Sequence, residues 1–106
     1  MPPIDFNGLD TAVHGPLRLG VLTALRMDGP LDFTMLKKRL RASDGNLGVH
    51  LHTLEEVGYI TCTKAFVGRR PKTTYRLTRA GTKALATYLK AMRTLLNAIE
   101  KTTTSR

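Results

Sequence analysis

The sequence predicts one α+β domain that is mostly α, in which three helices, a two-stranded hairpin and a long last helix follow one another. Two observations lead to this fold class. Apolar residues recur every three or four positions over most of the chain, which is the period of a helix with one buried face. Over residues 59–77 the pattern changes to strand-like alternation around a glycine–proline turn. The length of 106 residues and a hydrophobic content of 42% suit one domain with one core.

The first helical elements are predicted from signals at their ends. Asn7 is expected to cap a short helix over residues 9–14, because an asparagine side chain can accept a hydrogen bond from an unpaired N–H of the first turn. Pro16 suits the first turn of the next helix, and Gly29 followed by Pro30 ends that helix.

Two short helices joined by a tight turn come next. Asp32 is expected to cap a helix over residues 32–41, and Ser43 is expected to cap one over residues 44–57. Leucines at helical spacing mark the buried face of the second helix, namely Leu47, Leu51 and Leu54. This pair predicts a helix-turn-helix, whose second helix fits the major groove of DNA with its N-terminal end first.

The region of alternating residues predicts a hairpin with a basic tip. Its first strand covers residues 59–67, its turn covers residues 68–71, and its second strand covers residues 72–77. The alternation places Thr73, Tyr75 and Leu77 on one face of the second strand, and Lys72, Thr74 and Arg76 on the other. A two-stranded hairpin is marginally stable alone, so it must pack against the helices.

The last helix carries more apolar surface than one core of this size needs. Thr78 is expected to cap it, and its apolar stripe runs from Leu85 to Ile99. We expect the first turns to pack inward and the later turns to meet a second copy of the chain. The predicted dimer contacts are Leu9, Tyr88, Met92, Leu95, Leu96 and Ile99. Residues 1–100 are expected to form the domain, and residues 101–106 a flexible tail.

The chain is strongly basic. Lysine and arginine number 17 against 8 acidic residues, which gives a formal net charge of +9. No acidic residue occurs between Val57 and Ile99. This balance suits a polyanionic partner, either nucleic acid or an anionic membrane surface. No apolar stretch approaches the ~20 residues of a membrane span, so we expect no membrane partner.

Several other classes of protein are not expected. The single cysteine, Cys62, allows no disulfide within the chain and no zinc site built from several cysteines. The N-terminus has no signal-peptide pattern, so we expect the protein in the reducing cytoplasm. The histidines and carboxylates show no catalytic or metal-binding spacing, and we therefore expect no enzyme activity, no metal and no cofactor.

The candidate DNA contacts form two groups. In the N-terminal half of the helix over residues 44–57, the outward side is small and uncharged apart from Asp44. Its asparagine suits adenine and its valine suits a thymine methyl group. The predicted contacts there are Ser43, Gly45, Asn46, Val49, His50 and Thr53. The predicted contacts from the hairpin and from the preceding basic cluster are Arg69, Arg70, Lys72, Lys38 and Arg41. Affinity is expected from this second group.

For four of these positions a purely structural interpretation stays open. Asn46 could hydrogen-bond its own backbone in the first helical turn, and His50 could be a half-buried structural histidine. Arg69 and Arg70 could be solvated side chains at a loop tip, although Lys72 and Arg76 extend the same basic face.

Two stretches resemble a known family. Residues 47–60 (LGVHLHTLEEVGYI) resemble the helix-to-wing signature of winged-helix regulators. Residues 66–78 (FVGRRPKTTYRLT), with Gly81, resemble the wing and following helix of small regulators related to the multiple-antibiotic-resistance and arsenic-resistance repressors (the MarR and ArsR families). The resemblance covers about residues 14–89. The paired cysteines of many arsenic-type sensors are absent, so metal sensing is not expected.

The resemblance implies a winged helix-turn-helix with a two-stranded β-wing and a long C-terminal dimerisation helix. It further implies a homodimer on a pseudo-palindromic operator, and repression or activation by operator binding. In that arrangement the recognition helix enters the major groove, and the wing, about residues 66–73, contacts the backbone or minor groove.

Three other uses of such a fold stay open: a protein-interaction module, an RNA-binding module and a non-specific architectural DNA-binding module. The aromatic content of 6% weighs against RNA binding, which commonly stacks bases on aromatic side chains. The sequence does not identify an effector ligand.

Overall fold

The computed structural model describes residues 8–104. From residue 16 onward its elements follow the predicted order, with one strand added. This confirms the mostly helical α+β class. The elements are α1 (Pro16–Asp28), β1 (Leu31–Asp32), α2 (Phe33–Leu40), α3 (Asp44–Glu56), β2 (Ile60–Val67), β3 (Arg70–Leu77) and α4 (Arg79–Thr104).

The helix expected over residues 9–14 is wrong. This segment forms turns instead, in which Asp10 Oδ1 accepts from the Ala12 N–H at 2.8 Å and the Asp10 carbonyl accepts from Val13 and His14. Six residues are too few to offset helix nucleation, and an aspartate that bonds the backbone two residues ahead favours a turn. Asn7, the expected cap, lies outside the described residues.

The caps expected for the two short helices are confirmed. Asp32 Oδ1 accepts from the Met35 N–H at 2.8 Å, and Ser43 Oγ accepts from the Asn46 N–H at 3.3 Å. Each bond satisfies one N–H that lacks a partner within its helix. The Asp32 cap fixes the start of α2, and the Ser43 cap fixes where the turn between α2 and α3 ends.

Arg41 ends α2 in the left-handed region, with φ 51°. The Arg41 N–H donates to the Lys38 carbonyl at 3.4 Å, and the Ala42 N–H donates to the Lys37 carbonyl at 3.2 Å. This is the Schellman arrangement, in which glycine is usual. An arginine here is strained by roughly 1 kcal/mol.

The sheet has three antiparallel strands in the order β1-β3-β2. β1 was not predicted, because two residues are too few to show a period. β3 starts at Arg70, two residues earlier than expected, and leaves a loop of Gly68 and Arg69 with Gly68 at φ 66°. Pro71 is tolerated in β3 because β1 reaches only Thr74 and Tyr75, so Pro71 has no neighbour on that side.

One aliphatic core lies between α1, α2, α3, the sheet and the first turns of α4. Leucines supply most of it, and its fully buried large side chains are Leu22, Leu36, Leu47, Leu51, Leu54, Ile60, Val13 and Val21. The predicted leucine face of α3 is thereby confirmed. The expected cap of α4 is confirmed too, since Thr78 Oγ1 accepts from the Gly81 N–H at 2.9 Å.

α4 extends well beyond this core. Its 26 residues correspond to about 39 Å of helix, and it continues to Thr104, inside the segment expected to be a tail. The molecule measures 63 × 24 × 22 Å, with a radius of gyration of 16.6 Å. A compact domain of this length would have a radius of about 13 Å. The later turns of α4 therefore extend past the core and do not pack against it.

Gly81 allows the close approach of α4 to the end of α3. A Cβ at this position would lie 2.1 Å from the Tyr59 carbonyl oxygen. We expect Gly81→Ala to destabilise the fold by about 2 kcal/mol or more, because backbone must shift to relieve the clash. Urea denaturation measures the change in the free energy of unfolding.

Gly45→Ala is the matched control, because a Cβ there meets nothing within 4 Å. It should stabilise the helix by about 0.5–1 kcal/mol through reduced backbone entropy. Equal shifts of the unfolding midpoint in both variants would contradict the role of close approach at Gly81.

Candidate nucleic-acid interface

The exposed side of the N-terminal half of α3 is small and, apart from Asp44, uncharged. Gly45 and Asn46 are exposed, and Val49 is 63% exposed. We call these three residues the outer face of α3. They lie opposite the buried leucines of the same helix, so the packing of α3 determines which residues remain outside. A surface of this kind permits close contact with a partner and offers one side-chain amide for hydrogen bonding.

The hydroxyl groups predicted to contact DNA already have partners within the chain. Ser43 Oγ caps α3, and Thr53 Oγ1 donates to the Val49 carbonyl at 3.2 Å. The Asn46 backbone N–H is satisfied by Ser43, so its side chain is not needed to satisfy it. Of the polar residues predicted on this helix, Asn46 is thus the one best placed to bind something outside the chain.

The two histidines of α3 have different surroundings. His50 is half-buried, and its Nδ1 accepts a hydrogen bond from Arg18 Nε at 3.0 Å. His52 is exposed, and its Nε2 lies 2.9 Å from Glu56 Oε1 at the far end of the helix. The sequence interpretation did not anticipate the partner of His50, because Arg18 precedes it by 32 residues.

Several cations near α3 are paired with carboxylates. Lys37 Nζ lies 2.8 Å from Asp44 Oδ1, which places the end of α2 beside the first turn of α3. Lys72 Nζ lies 3.9 Å from Asp32 Oδ2, so this predicted contact is partly neutralised within the chain. Surface ion pairs of this kind contribute little to stability, but they reduce the positive charge offered to a partner.

Four predicted cations take part in no ion pair within the described residues. We call them the unpaired cations: Lys38, Arg41, Arg69 and Arg70. The first two stand on the element before α3, and the other two stand at the tip of the hairpin after it. All four are exposed. Exposed positive charge is therefore available on the elements that precede and follow α3 in the chain.

The hairpin carries its charge mostly on one side. Strand alternation places Arg70, Lys72 and Arg76 on one face of β3, as predicted, and Arg69 lies in the loop. Phe66, which pairs with Pro71 on the opposite face of the hairpin, is 74% exposed, and it was not among the predicted contacts. The signal that would have drawn attention to it is an aromatic residue two positions before a tight turn.

The predicted dimer residues divide into two sets. Tyr88 is only 2% exposed and its hydroxyl is hydrogen-bonded to His14 Nδ1 at 2.8 Å, so it belongs to the core of its own chain. Leu9 and Met92 also pack against that core. On the later turns of α4, Leu95 is half-buried, Leu96 is 49% exposed and Ile99 is 63% exposed.

Two tyrosines have raised pKa values, and both lie away from the outer face of α3. A hydrogen bond to Asp10, together with burial and the charge of that carboxylate, raises the pKa of Tyr59. Burial foremost, and then the neighbouring Cys62, raises the pKa of Tyr75 to about 12. Both groups are therefore neutral near pH 7 and serve the fold.

No side-chain cluster suited to a metal ion occurs in the part of the chain that the structure describes. No described helix combines the length and hydropathy that a membrane crossing requires. An open groove of about 550 Å³ separates the N-terminal turns from α4, with Leu9, Asp10, Tyr59 and Lys83 among its lining residues.

Residues 17–96 match the family described as winged helix DNA-binding domain. The uncharacterized protein MJ0432 of Methanocaldococcus jannaschii is 38% identical over 58 residues, which span 55% of this chain and 63% of that protein.

Two solved structures with a similar fold are both described as transcriptional regulators. The transcriptional regulator homologue of Pyrococcus horikoshii is 25% identical, with a TM-score of 0.77 over 83% of this chain and 87% of that one. The putative regulator TA0346 of Thermoplasma acidophilum is 23% identical, with a TM-score of 0.69 over 87% and 94% of the two chains. The family match and these likenesses confirm the resemblance to winged-helix regulators. Both similar structures are described as regulators and neither as an enzyme. The chain belongs to the family of winged helix DNA-binding domains.

Proposed function

We propose that this chain is a sequence-specific transcription regulator that binds double-stranded DNA as a homodimer. In this proposal α3 is the recognition helix in the major groove, and the β2–β3 hairpin is the wing on the backbone or minor groove. One observation carries the proposal: the exposed, uncharged outer face of α3 is flanked along the chain by two groups of exposed, unpaired cations. Phosphates attract the cations, while the helix face can approach base edges without an electrostatic cost.

The proposal divides affinity from specificity. The unpaired cations contact phosphates and release counterions, which supplies affinity for any DNA sequence. Asn46 and Val49 contact base edges, where an amide can bond adenine and a methyl group can contact thymine. Gly45 has no side chain, so it leaves room for close approach beside them. Ser43 and Thr53, which already have partners in the chain, contribute mainly by keeping α3 in place.

The proposed dimer forms through the later turns of α4. Leu95, Leu96 and Ile99 continue one apolar stripe past the end of the core. A second copy related by a two-fold axis would cover this stripe and present two recognition helices. Half-sites about one helical turn apart, on a pseudo-palindromic operator, follow from that symmetry. An effector is not part of the proposal.

A non-specific architectural protein is the alternative that the charge distribution also favours, since cations alone would suffice for it. Selection of bound duplexes from a random pool, at two salt concentrations, distinguishes the two. The proposal expects an enriched inverted repeat. Recovery of DNA without any motif would favour the architectural function, and failure to bind duplex DNA would exclude both.

Arg69→Ala should weaken binding to the selected operator and to random DNA by the same factor, about fivefold to tenfold at moderate salt. The slope of log affinity against log salt should fall by about one. Asn46→Ala should instead cost about 1–3 kcal/mol at one base pair of each half-site. Fluorescence anisotropy across a salt series measures both quantities.

Arg93→Ala is the matched control, because it removes the same charge from an exposed position on α4. It should leave affinity, salt slope and sequence preference nearly unchanged. The division between affinity and specificity is wrong if Arg69→Ala and Asn46→Ala lose equal affinity for operator and random DNA.

Leu96→Asp should dissociate the proposed dimer, because it would bury a carboxylate in an apolar interface. We expect the dissociation constant of the dimer to rise by at least roughly 100-fold, as measured by sedimentation equilibrium. Asn97→Asp adds the same charge at a position well off the apolar stripe and should leave the dimer intact. A monomeric unmodified chain at high micromolar concentration would refute the proposed assembly.

Arg41→Gly should separate stability from DNA affinity. Glycine relieves the left-handed strain, so the free energy of unfolding should stay constant or rise by up to about 1 kcal/mol. Removal of an unpaired cation should at the same time weaken DNA binding about fivefold and lower the salt slope. Thermal denaturation and anisotropy on one preparation test both effects, and a stable variant with undiminished affinity would exclude Arg41 from the interface.

A further inference from the structure

Arg18, on α1, makes a specific contact with α3. Its Nε donates to His50 Nδ1 at 3.0 Å, and its Nη1 donates to the Thr11 carbonyl at 3.2 Å. The guanidinium therefore joins the N-terminal turns, α1 and α3. It takes part in no ion pair among the described residues. Its orientation is set by these two acceptors rather than by an opposite charge.

This contact determines the protonation pattern of His50. A guanidinium has only donors, so the atom that accepts from Arg18 must carry a lone pair. A neutral imidazole with its lone pair on Nδ1 has its hydrogen on Nε2. The imidazolium form would place an N–H of His50 against the N–H of Arg18. Among the described residues, Nε2 of His50 then has no hydrogen-bond partner, and in this tautomer Nε2 is a hydrogen-bond donor.

The position of His50 makes this donor accessible. His50 follows Asn46 by four residues, which places both on the same side of α3. Both line an open groove of about 460 Å³, whose other wall includes Arg18 and the start of α1. His50 is half-buried and not enclosed. A histidine with only a structural function would not need to line an open groove beside the residue that we assign to base contact.

We propose that Arg18 is a positioning residue for DNA recognition: it holds His50 in the Nε2–H tautomer, and His50 donates a hydrogen bond from Nε2 to an acceptor atom of a base in the major groove. Guanine O6 and N7, adenine N7 and thymine O4 are acceptors of this kind. A base pair that places an amino group there, adenine N6 or cytosine N4, is rejected because two donors would meet. This inference rests on the proposed sequence-specific function.

The first test measures the tautomer itself, without DNA. Long-range ¹H–¹⁵N NMR spectra of the full chain should show His50 protonated at Nε2 and not at Nδ1. In Arg18→Gln the new amide can donate to Nδ1 or accept from it, so the bond survives while both tautomers become possible. We expect a mixture of tautomers in this variant. An unchanged Nε2–H tautomer in Arg18→Gln, or a Nδ1–H tautomer in the unmodified chain, would overturn the role of Arg18.

The second test measures sequence preference by selection from a random duplex pool. His50→Ala should lose about fivefold to tenfold preference at one base pair of each half-site, with the remaining motif intact. His50→Gln should retain much of it, because its amide nitrogen can replace the Nε2 donor. Arg18→Gln should lose preference at the same base pair as His50→Ala. Arg26→Gln, a change of the same charge at an exposed position of α1, is the control and should keep the full motif.

Each other outcome has a definite meaning. Equal weakening on all sequences in His50→Ala would place the donor on a phosphate and overturn the base contact. A full motif in both His50→Ala and Arg18→Gln would overturn the inference and leave the proposed function standing. An unmodified chain that selects no motif would refute the proposed function instead. Thermal denaturation checks that each variant is folded. If Arg18→Gln does not fold, His50→Gln still tests the base contact.

Discussion

The packing of three leucines determines which side of α3 faces outward. Leu47, Leu51 and Leu54 are buried against the rest of the core, and each contributes about 1.5–3 kcal/mol through removal of apolar surface from water. No single surface contact of α3 matches that amount. A rotation of α3 about its axis would expose these leucines, so the opposite side of the helix must face outward. The small residues on that side are thus presented by the core and need no contacts of their own.

A second constraint fixes the wing relative to α3. Thr78 Oγ1 donates to the Gly58 carbonyl at 2.7 Å and accepts from the Gly81 N–H, so one hydroxyl joins the end of α3 to the start of α4. The Thr78 N–H also donates to the Tyr59 carbonyl at 3.0 Å. The hairpin begins and ends within this junction. The end of α3 and the two ends of the hairpin are consequently joined through Thr78 and its neighbours.

The sequence predicted the parts of the fold that depend on local pattern. The helix caps at Asp32, Ser43 and Thr78 could be predicted because capping needs only one side chain and a nearby N–H. β1 could not be predicted, since its two residues form a strand only by pairing with β3. The Arg18–His50 contact joins residues far apart in the chain, so neither residue type nor spacing revealed it. The same is true of the carboxylates that partly neutralise Lys37 and Lys72. These ion pairs determine which cations remain available to a partner, but they form only once α2, α3 and the sheet have packed.

The short wing loop has a mechanical consequence. Strand pairing runs without interruption from Ile60 and Leu77 to Val67 and Arg70, and only Gly68 and Arg69 lie beyond the last pair. Eight paired residues correspond to about 26 Å of strand. A hairpin paired to its tip cannot lengthen, and its base is fixed at the Thr78 junction. The paired strands therefore hold the arginine tip at a set distance from α3, and a partner that contacts both must match that spacing.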